Sequence, residues 1–291
     1  MNVISANKEW LVNNTVAYTS GIYAALSMVA LWVDFTSFLS GLSPFLRVLV
    51  SLGVLVCIAI FCFAVSILYL RIKKRFTVFK SETGHSISIQ FGNILDVSIR
   101  TTGNRLNSIV IPVNRCFDTV VDDRLIARSS LHGAFISSLV ANNSFSPEAL
   151  NQRIQQSLRD EPYDILLPED KSRGNLKRFR PGTVVNIDAE DLHYFLLGLS
   201  LFNKDLKAIT NKEDYTIAIQ KLLEYCDSNA QGGEVFLPLI GTGLSRVGVS
   251  KNDALSYLYH TIVLNKELLS FDITIVVPDS ERGNISISNF K

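Results

Sequence analysis

FLPLIGTGLSRVG, residues 236–248, runs an apolar, strand-like segment into two glycines, a threonine and a serine. A segment with helical spacing follows, Asn252 to Leu264. In α/β sheets, ligands sit in the crevice outside the carboxyl ends of the strands, where such a turn falls. Glycines let the backbone come close to a ligand and adopt positive φ, so successive N–H groups can converge on an anion. Thr242 and Ser245 add hydroxyl donors and Arg246 a charge. The turn suits a diphosphate. Taken alone it is also compatible with a plain tight turn, and it is not a Walker loop, because no Gly-Lys-Ser/Thr follows.

Outward from this turn, strands and helices alternate. Ser86 to Phe91 alternates like a half-buried strand, and Leu106 to Val113 holds the solid apolar run of a buried central one. Thr183–Asp188, Tyr194–Leu201, Val235–Ile240 and Ile273–Val277 are further strands. Helical spacing covers Asp122–Val140, where Gly133 is a mild flaw, and Glu213–Ser228. Pro147–Leu158 is a short helix, with Ser146 as its cap and proline at its first position. The pattern predicts a layered α/β domain with a mixed sheet covered on both faces. Within it, about 141–181 is polar and charged and is expected to be an insertion.

The chain of 291 residues has 28 basic and 27 acidic side chains. This balance excludes a general nucleic-acid binder, which carries a basic surplus. Cys57, Cys62, Cys116 and Cys226 form no CxxC or Cys/His cluster, so no disulfide framework or metal site is expected. The mean hydropathy is positive because of the first quarter of the chain. Residues 48–70 are uncharged, long enough at about 1.5 Å per residue for a hydrocarbon core of about 30 Å. Residues 16–33 are also uncharged but more polar. Gly41 and Pro44 between them suit a reversal.

The expectation is a two-helix membrane hairpin over residues 1–75, ahead of a globular domain over 76–291. A cleaved signal peptide fits less well: Lys8 stands beside Glu9 and a second apolar segment follows at once. The basic cluster Arg71 to Arg75 directly after the second segment places the globular domain and the N-terminus in the cytoplasm by the positive-inside bias.

Gly92-Asn93-Ile94, SIVIPVN ending at Asn114, and Pro238-Leu239-Ile240-Gly241-Thr242-Gly243 occur in that order. With TVVNI and DITIVVPD they make residues about 80–285 resemble a macro domain, the ADP-ribose-binding fold with three α/β/α layers. The resemblance implies that Asn93 and Ile94 meet the adenine, with Asp279 near its rim. It implies that Gly241, Thr242, Gly243, Leu244, Ser245 and Arg246 cradle the diphosphate, and that Asn114, the surviving second asparagine of the family's second motif, belongs to the ligand site. Two departures matter. Ile111 replaces the first asparagine of the family's second motif, and the glycine run that follows is RCFDTVVDD here. Asp118, Thr119 and Val120 in that stretch are then expected at the ligand's distal end. With those glycines absent, binding without turnover is the expectation.

Two apolar segments joined to such a domain resemble the membrane-bound macro-domain effectors of type II Thoeris antiphage defence. That resemblance implies an ADP-ribose-derived signal, a histidine–ADP-ribose conjugate, made by a partner TIR-domain enzyme. It further implies ligand-dependent homo-oligomerisation and disruption of the inner membrane, with no cofactor and no nucleic acid. A membrane-tethered ADP-ribosyl hydrolase and a non-sensing scaffold stay open as alternatives.

Overall fold

The structure, a computed structural model, describes residues 3–33, 39–96, 107–189, 192–240 and 250–290. It divides into two units: Met1–Lys74 with Gly283–Asn289, and Arg75–Arg282 with Phe290–Lys291.

The first unit contains α1 (Val3–Ala6), α2 (Lys8–Val29) and α3 (Pro44–Ile72). Ser43 caps α3, its hydroxyl accepting the Leu46 N–H, with proline at the first position. Trp10 of α2 stacks on Tyr69 of α3 with ring centroids 6.0 Å apart. Buried Asn7 ties down the returning segment, donating to the Ile285 carbonyl at 3.2 Å and accepting the Ile287 N–H at 2.8 Å.

Among the described helices, α3 alone is long and apolar enough to cross a membrane, and 6 % of its most apolar stretch is buried, which sets it apart from the core helix of a soluble domain. Of the expected pair of spans, α3 meets this test among the described helices and α2 does not. Asparagines, threonines and serines dilute the apolar content of α2. Some satisfy themselves on the helix: Asn14 Nδ2 donates to the Trp10 carbonyl at 2.8 Å and Ser27 Oγ to that of Tyr23 at 2.9 Å.

The second unit contains, in chain order, β1 (Arg75–Lys80), β2 (Ser86–Phe91), β3 (Asn107–Asn114), α4 (Leu131–Ala141), α5 (Pro147–Ser157), β4 (Tyr163–Ile165), β5 (Lys177–Phe179), β6 (Val184–Ala189), β7 (Leu192–Phe202), β8 (Ala208–Ile209), α6 (Lys212–Asn229), β9 (Val235–Pro238), α7 (Lys251–Leu264) and β10 (Ile273–Val277). The main sheet has the order β1-β2-β10-β9-β3-β7-β6. From β2 to β7 every neighbour pairs in parallel, while β1 and β6 are antiparallel edges. The central strands are accordingly apolar throughout: β10 is buried at every position, and β3 at every position but one.

Helices cover both faces. Tyr194 packs on Phe135 of α4 with ring centroids 4.9 Å apart, and the next residue, Phe195, meets Tyr225 of α6 at 5.1 Å. Consecutive residues of a strand point to opposite faces, so α4 and α6 lie on different layers. This is the expected mixed-sheet α/β/α architecture.

The expected helix from Asp122 starts only at Leu131. Asp122 Oδ1 accepts the N–H groups of Arg124 and Leu125, Asp123 Oδ1 accepts that of Arg128, and Asp123 sits at φ 62°. Such local bonds compete with a helical turn. Gly133 is required rather than tolerated, because a Cβ there would lie 2.2 Å from the Ala127 carbonyl oxygen.

The stretch from 141 to 181 is built into the fold. Lys171 and Asp118 form an ion pair of 2.6 Å with side chains 0 % and 1 % exposed. Lys171 also donates to the Asn175 carbonyl, and the Asn175 N–H donates to the other Asp118 oxygen, each at 2.6 Å. The basic run 173–180 is paired with acids from elsewhere in the chain. Arg173 meets Asp122, and Arg178 and Arg180 meet Asp164, while Phe179 is buried.

Removing one partner of a buried pair strands the other charge. Lys171→Met is expected to destabilise the full chain in detergent by about 3–5 kcal/mol. Adding Asp118→Asn to that variant should recover part of the loss, as read by thermal unfolding.

Candidate functional site

Because the strands from β2 to β7 are parallel, their carboxyl ends share one edge of the sheet. Past β9 the chain stays buried at Leu239 and Ile240. The Leu239 N–H donates to the Val276 carbonyl at 3.0 Å, and the buried Tyr215 hydroxyl donates to the Ile240 carbonyl at 3.3 Å. The anticipated diphosphate turn begins at the next residue. Gly241, Thr242, Gly243, Leu244, Ser245 and Arg246 lie outside the described residues.

At the end of β3, Asn114 is 4 % exposed. Its Oδ1 accepts the Cys116 N–H at 3.0 Å, and its carbonyl accepts the Phe117 N–H at 2.9 Å. Its Nδ2 makes no hydrogen bond among the described residues, although its dipole helps hold the Asp118 carboxylate ionised. Arg115 fixes the connection that follows, donating through Nε to the Phe179 carbonyl at 2.8 Å and through Nη1 to Asp214 at 2.9 Å.

A cleft of about 400 Å³ opens at this edge. Asn114, Ile240, the first turn of α4 and, from β7, Ser200 and Phe202 line it. Ser130 caps α4 by accepting the Gly133 N–H at 3.0 Å, so α4 presents the positive end of its dipole where it borders the cleft. His132 of that turn lines the cleft and is buried. Burial pushes its imidazole down to about 3, so it is neutral near pH 7.

The residues anticipated from sequence fall into separate places. Asn114 borders this cleft. Asp118, Thr119 and Val120 instead border a second hollow of about 620 Å³, shared with α4 and α5. Asp118 is corrected from a ligand-facing loop acid to the buried partner of Lys171. Burial raises its pKa, and Lys171 and the Asn175 amide pull it back. Asn93 and Asp279 lie at neighbouring strand ends, where the Gly92 N–H donates to the Val277 carbonyl at 2.9 Å. Asn93 is exposed, its Oδ1 taken by the Leu95 N–H, and Ile94 is in the core. Asp279 is exposed and accepts from Arg282.

His132, Ser200, Phe202 and Lys207 line the cleft without having been anticipated. The histidine alone carried a readable signal, two residues past the Ser130 cap. The others depend on how β7 ends.

The family model described as Thoeris protein ThsA, Macro domain, matches residues 87–278, well over half of the chain. The Thoeris protein ThsA of Bacillus amyloliquefaciens (strain Y2) is 28 % identical over 190 residues, covering 63 % of this chain and 58 % of that protein. The chain thus spans little more than half the length of this curated relative. Among solved structures, a mutant Oceanobacillus iheyensis macrodomain with ADPR is 17 % identical, covering 74 % of this chain and 94 % of that one with a TM-score of 0.47. Thermosipho africanus DarTG in complex with ADP-ribose is 10 % identical, covering 75 % and 47 % with a TM-score of 0.35.

The buried imidazole predicts a pH dependence. The unfolded chain takes up its proton near pH 6.5 and the folded chain only near 3, so the stability from burying neutral His132 is complete above 6.5 and is lost as pH falls toward 3. Between pH 6.5 and 5 the wild type should lose about 2 kcal/mol more than His132→Gln, measured by chemical unfolding at each pH.

Proposed function

Since the chain belongs to the Thoeris ThsA macro-domain family by the match over residues 87–278, we propose that it is an antiphage defence effector whose cleft at the ends of β9 and β3 binds an ADP-ribose-derived signal. The observation that carries this reading is that the buried Asn114 and the capped first turn of α4 line one cleft at this sheet edge, together with Ile240. In the sequence, the glycine-rich stretch GTGLS follows Ile240 directly. An amide donor and a helix N-terminus favour a phosphate-bearing ligand, and glycines suit an N–H cradle for one. The corner formed by Asn93 and Asp279 receives the adenine, and the signal is the product of a partner TIR-domain enzyme, a histidine–ADP-ribose conjugate.

Binding proceeds without turnover. This is supported by Ile111, which is wholly buried in the core where the family's asparagine would stand, and by Arg115, whose bonds to Asp214 and Phe179 stiffen the stretch where the family has glycines. Positioning a water on a distal ribose needs a backbone that can wrap it. Sustained release of ADP-ribose from a modified protein would favour the hydrolase reading instead.

The effector acts at the bacterial inner membrane. α3 crosses the bilayer, and α2 accompanies it as the second arm of a two-pass hairpin with the globular domain and N-terminus cytoplasmic. Support comes from the apolar side chains exposed along both helices and from the Trp10–Tyr69 stack near the basic cluster, where aromatic residues prefer the interface. Ligand binding drives homo-oligomerisation, which brings hairpins together, disrupts the membrane and arrests the cell. Shifting 1:99 to 99:1 takes a preference of about 5.5 kcal/mol for the assembled form.

Calorimetry of the full chain in detergent with ADP-ribose tests the sensor. Saturable binding is expected, weakened about tenfold by Asn114→Leu, the loss of one hydrogen bond at about 1.4 kcal/mol. No binding at all would overturn the reading.

A further inference from the structure

Away from the cleft, the short sheet of β4 and β5 carries a hydrophobic ridge. Strand alternation divides the residues cleanly: Leu166 is buried, whereas Tyr163, Ile165 and Leu167 face outward, 40 %, 72 % and 56 % exposed. β5 pairs with one side of β4, and no strand covers the other side among the described residues. Three such side chains in a row, rimmed by charge, form a patch of the kind that marks an interface.

The second hollow lies beside this ridge. Its rim passes through Gly174 and Asn175, and the next residue, Leu176, accepts the Leu166 N–H through its carbonyl at 2.8 Å. Val120, Val121, Ile136 and Val140 line the hollow, and Val120 is 52 % exposed. Two acids border it. Asp118 is already held by Lys171, while Glu148, in the first turn of α5, makes no ion pair among the described residues. On the ridge, Lys177 stands opposite Ile165 with its ammonium 4.5 Å from the Tyr163 ring centre, and no acid pairs with it among the described residues.

An apolar projection with an unpaired cation thus adjoins an apolar recess with an unpaired anion. A two-fold axis makes such a surface self-complementary: each projection meets the other copy's recess, and each Lys177 the other copy's Glu148. An anionic lipid surface fits less well. Arg173, Arg178 and Arg180 of the neighbouring basic run are already paired with Asp122 and Asp164, which leaves little cationic surplus.

We propose that two copies of this chain pair through the globular domain, with the Tyr163–Ile165–Leu167 ridge of one seated in the hollow bordered by α4 and α5 of the other. Pairing needs no nucleotide and stands apart from the reading of the cleft.

Light scattering of the full chain in detergent, without nucleotide and over a range of concentrations, tests this. Two copies per particle are expected. Ile165→Glu should raise the dissociation constant about a hundredfold without lowering the unfolding temperature, because that side chain is exposed in the single copy. Glu148→Lys and Lys177→Glu should each weaken pairing about tenfold, and the double variant should return to within about threefold of wild type. A wild type that stays a single copy overturns the inference and leaves the ridge to a bilayer or to a different protein. A dimer that Ile165→Glu splits but the charge exchange does not rescue would mean that two β4 edges pair with each other. A dimer indifferent to all of these variants would place the contact in the membrane helices. Either of these results also overturns it, and none of them bears on nucleotide binding.

Discussion

The parallel run of β2, β10, β9, β3 and β7 is the constraint on which the rest depends. Parallel strands need crossovers, and the crossovers lay helices on both faces of the sheet. Side chains of the central strands then have no exit to water, which is why Ile109, Ile111, Ile275 and Leu197 are all fully buried. Polar chemistry is displaced to the strand ends, and parallel direction gathers those ends along one edge. Asn114, Ile240, Ser200 and the start of α4 meet there because the sheet leaves them nowhere else to be polar together.

A second constraint works in the opposite sense in the first unit. Along α3 the apolar side chains stand outward, with Phe45, Ile60, Phe61 and Leu68 more than half exposed. In water such a surface would be strongly unfavourable; in hydrocarbon it is the expected one. At the start of α3 the Ser43 hydroxyl accepts the Leu46 N–H and Pro44 has no N–H to satisfy, which lowers the cost of that helix end. Asn14 and Ser27 of α2 turn back onto its own carbonyls, which helps a more polar helix run beside an apolar one.

Much of this was legible in the residues. β2, β3, β9 and β10 announced themselves by alternation or by solid apolar runs, and α5 by Ser146 and Pro147. What was not legible depended on contacts distant in the chain. Lys171 reads as one more charge in a polar stretch until Asp118, far upstream, takes it into the core. Asp122 and Asp123 look like helix starters, yet their carboxylates cap their own backbone and delay the helix to Leu131. The short strands β4 and β5 exist as a mutual pair, and the helical spacing of α2 says nothing of how many polar groups a bilayer would have to accept.

The central claim is that an ADP-ribose derivative lies along the carboxyl edge of β9 and β3. Hydrogen exchange of the full chain, with and without ADP-ribose, tests it most directly. The account predicts slower exchange at the end of β3, in the first turn of α4 and in the residues after Ile240, with α5 unchanged. Protection confined to α5 and residues 118–121, around the second hollow, would contradict it, as would no change anywhere.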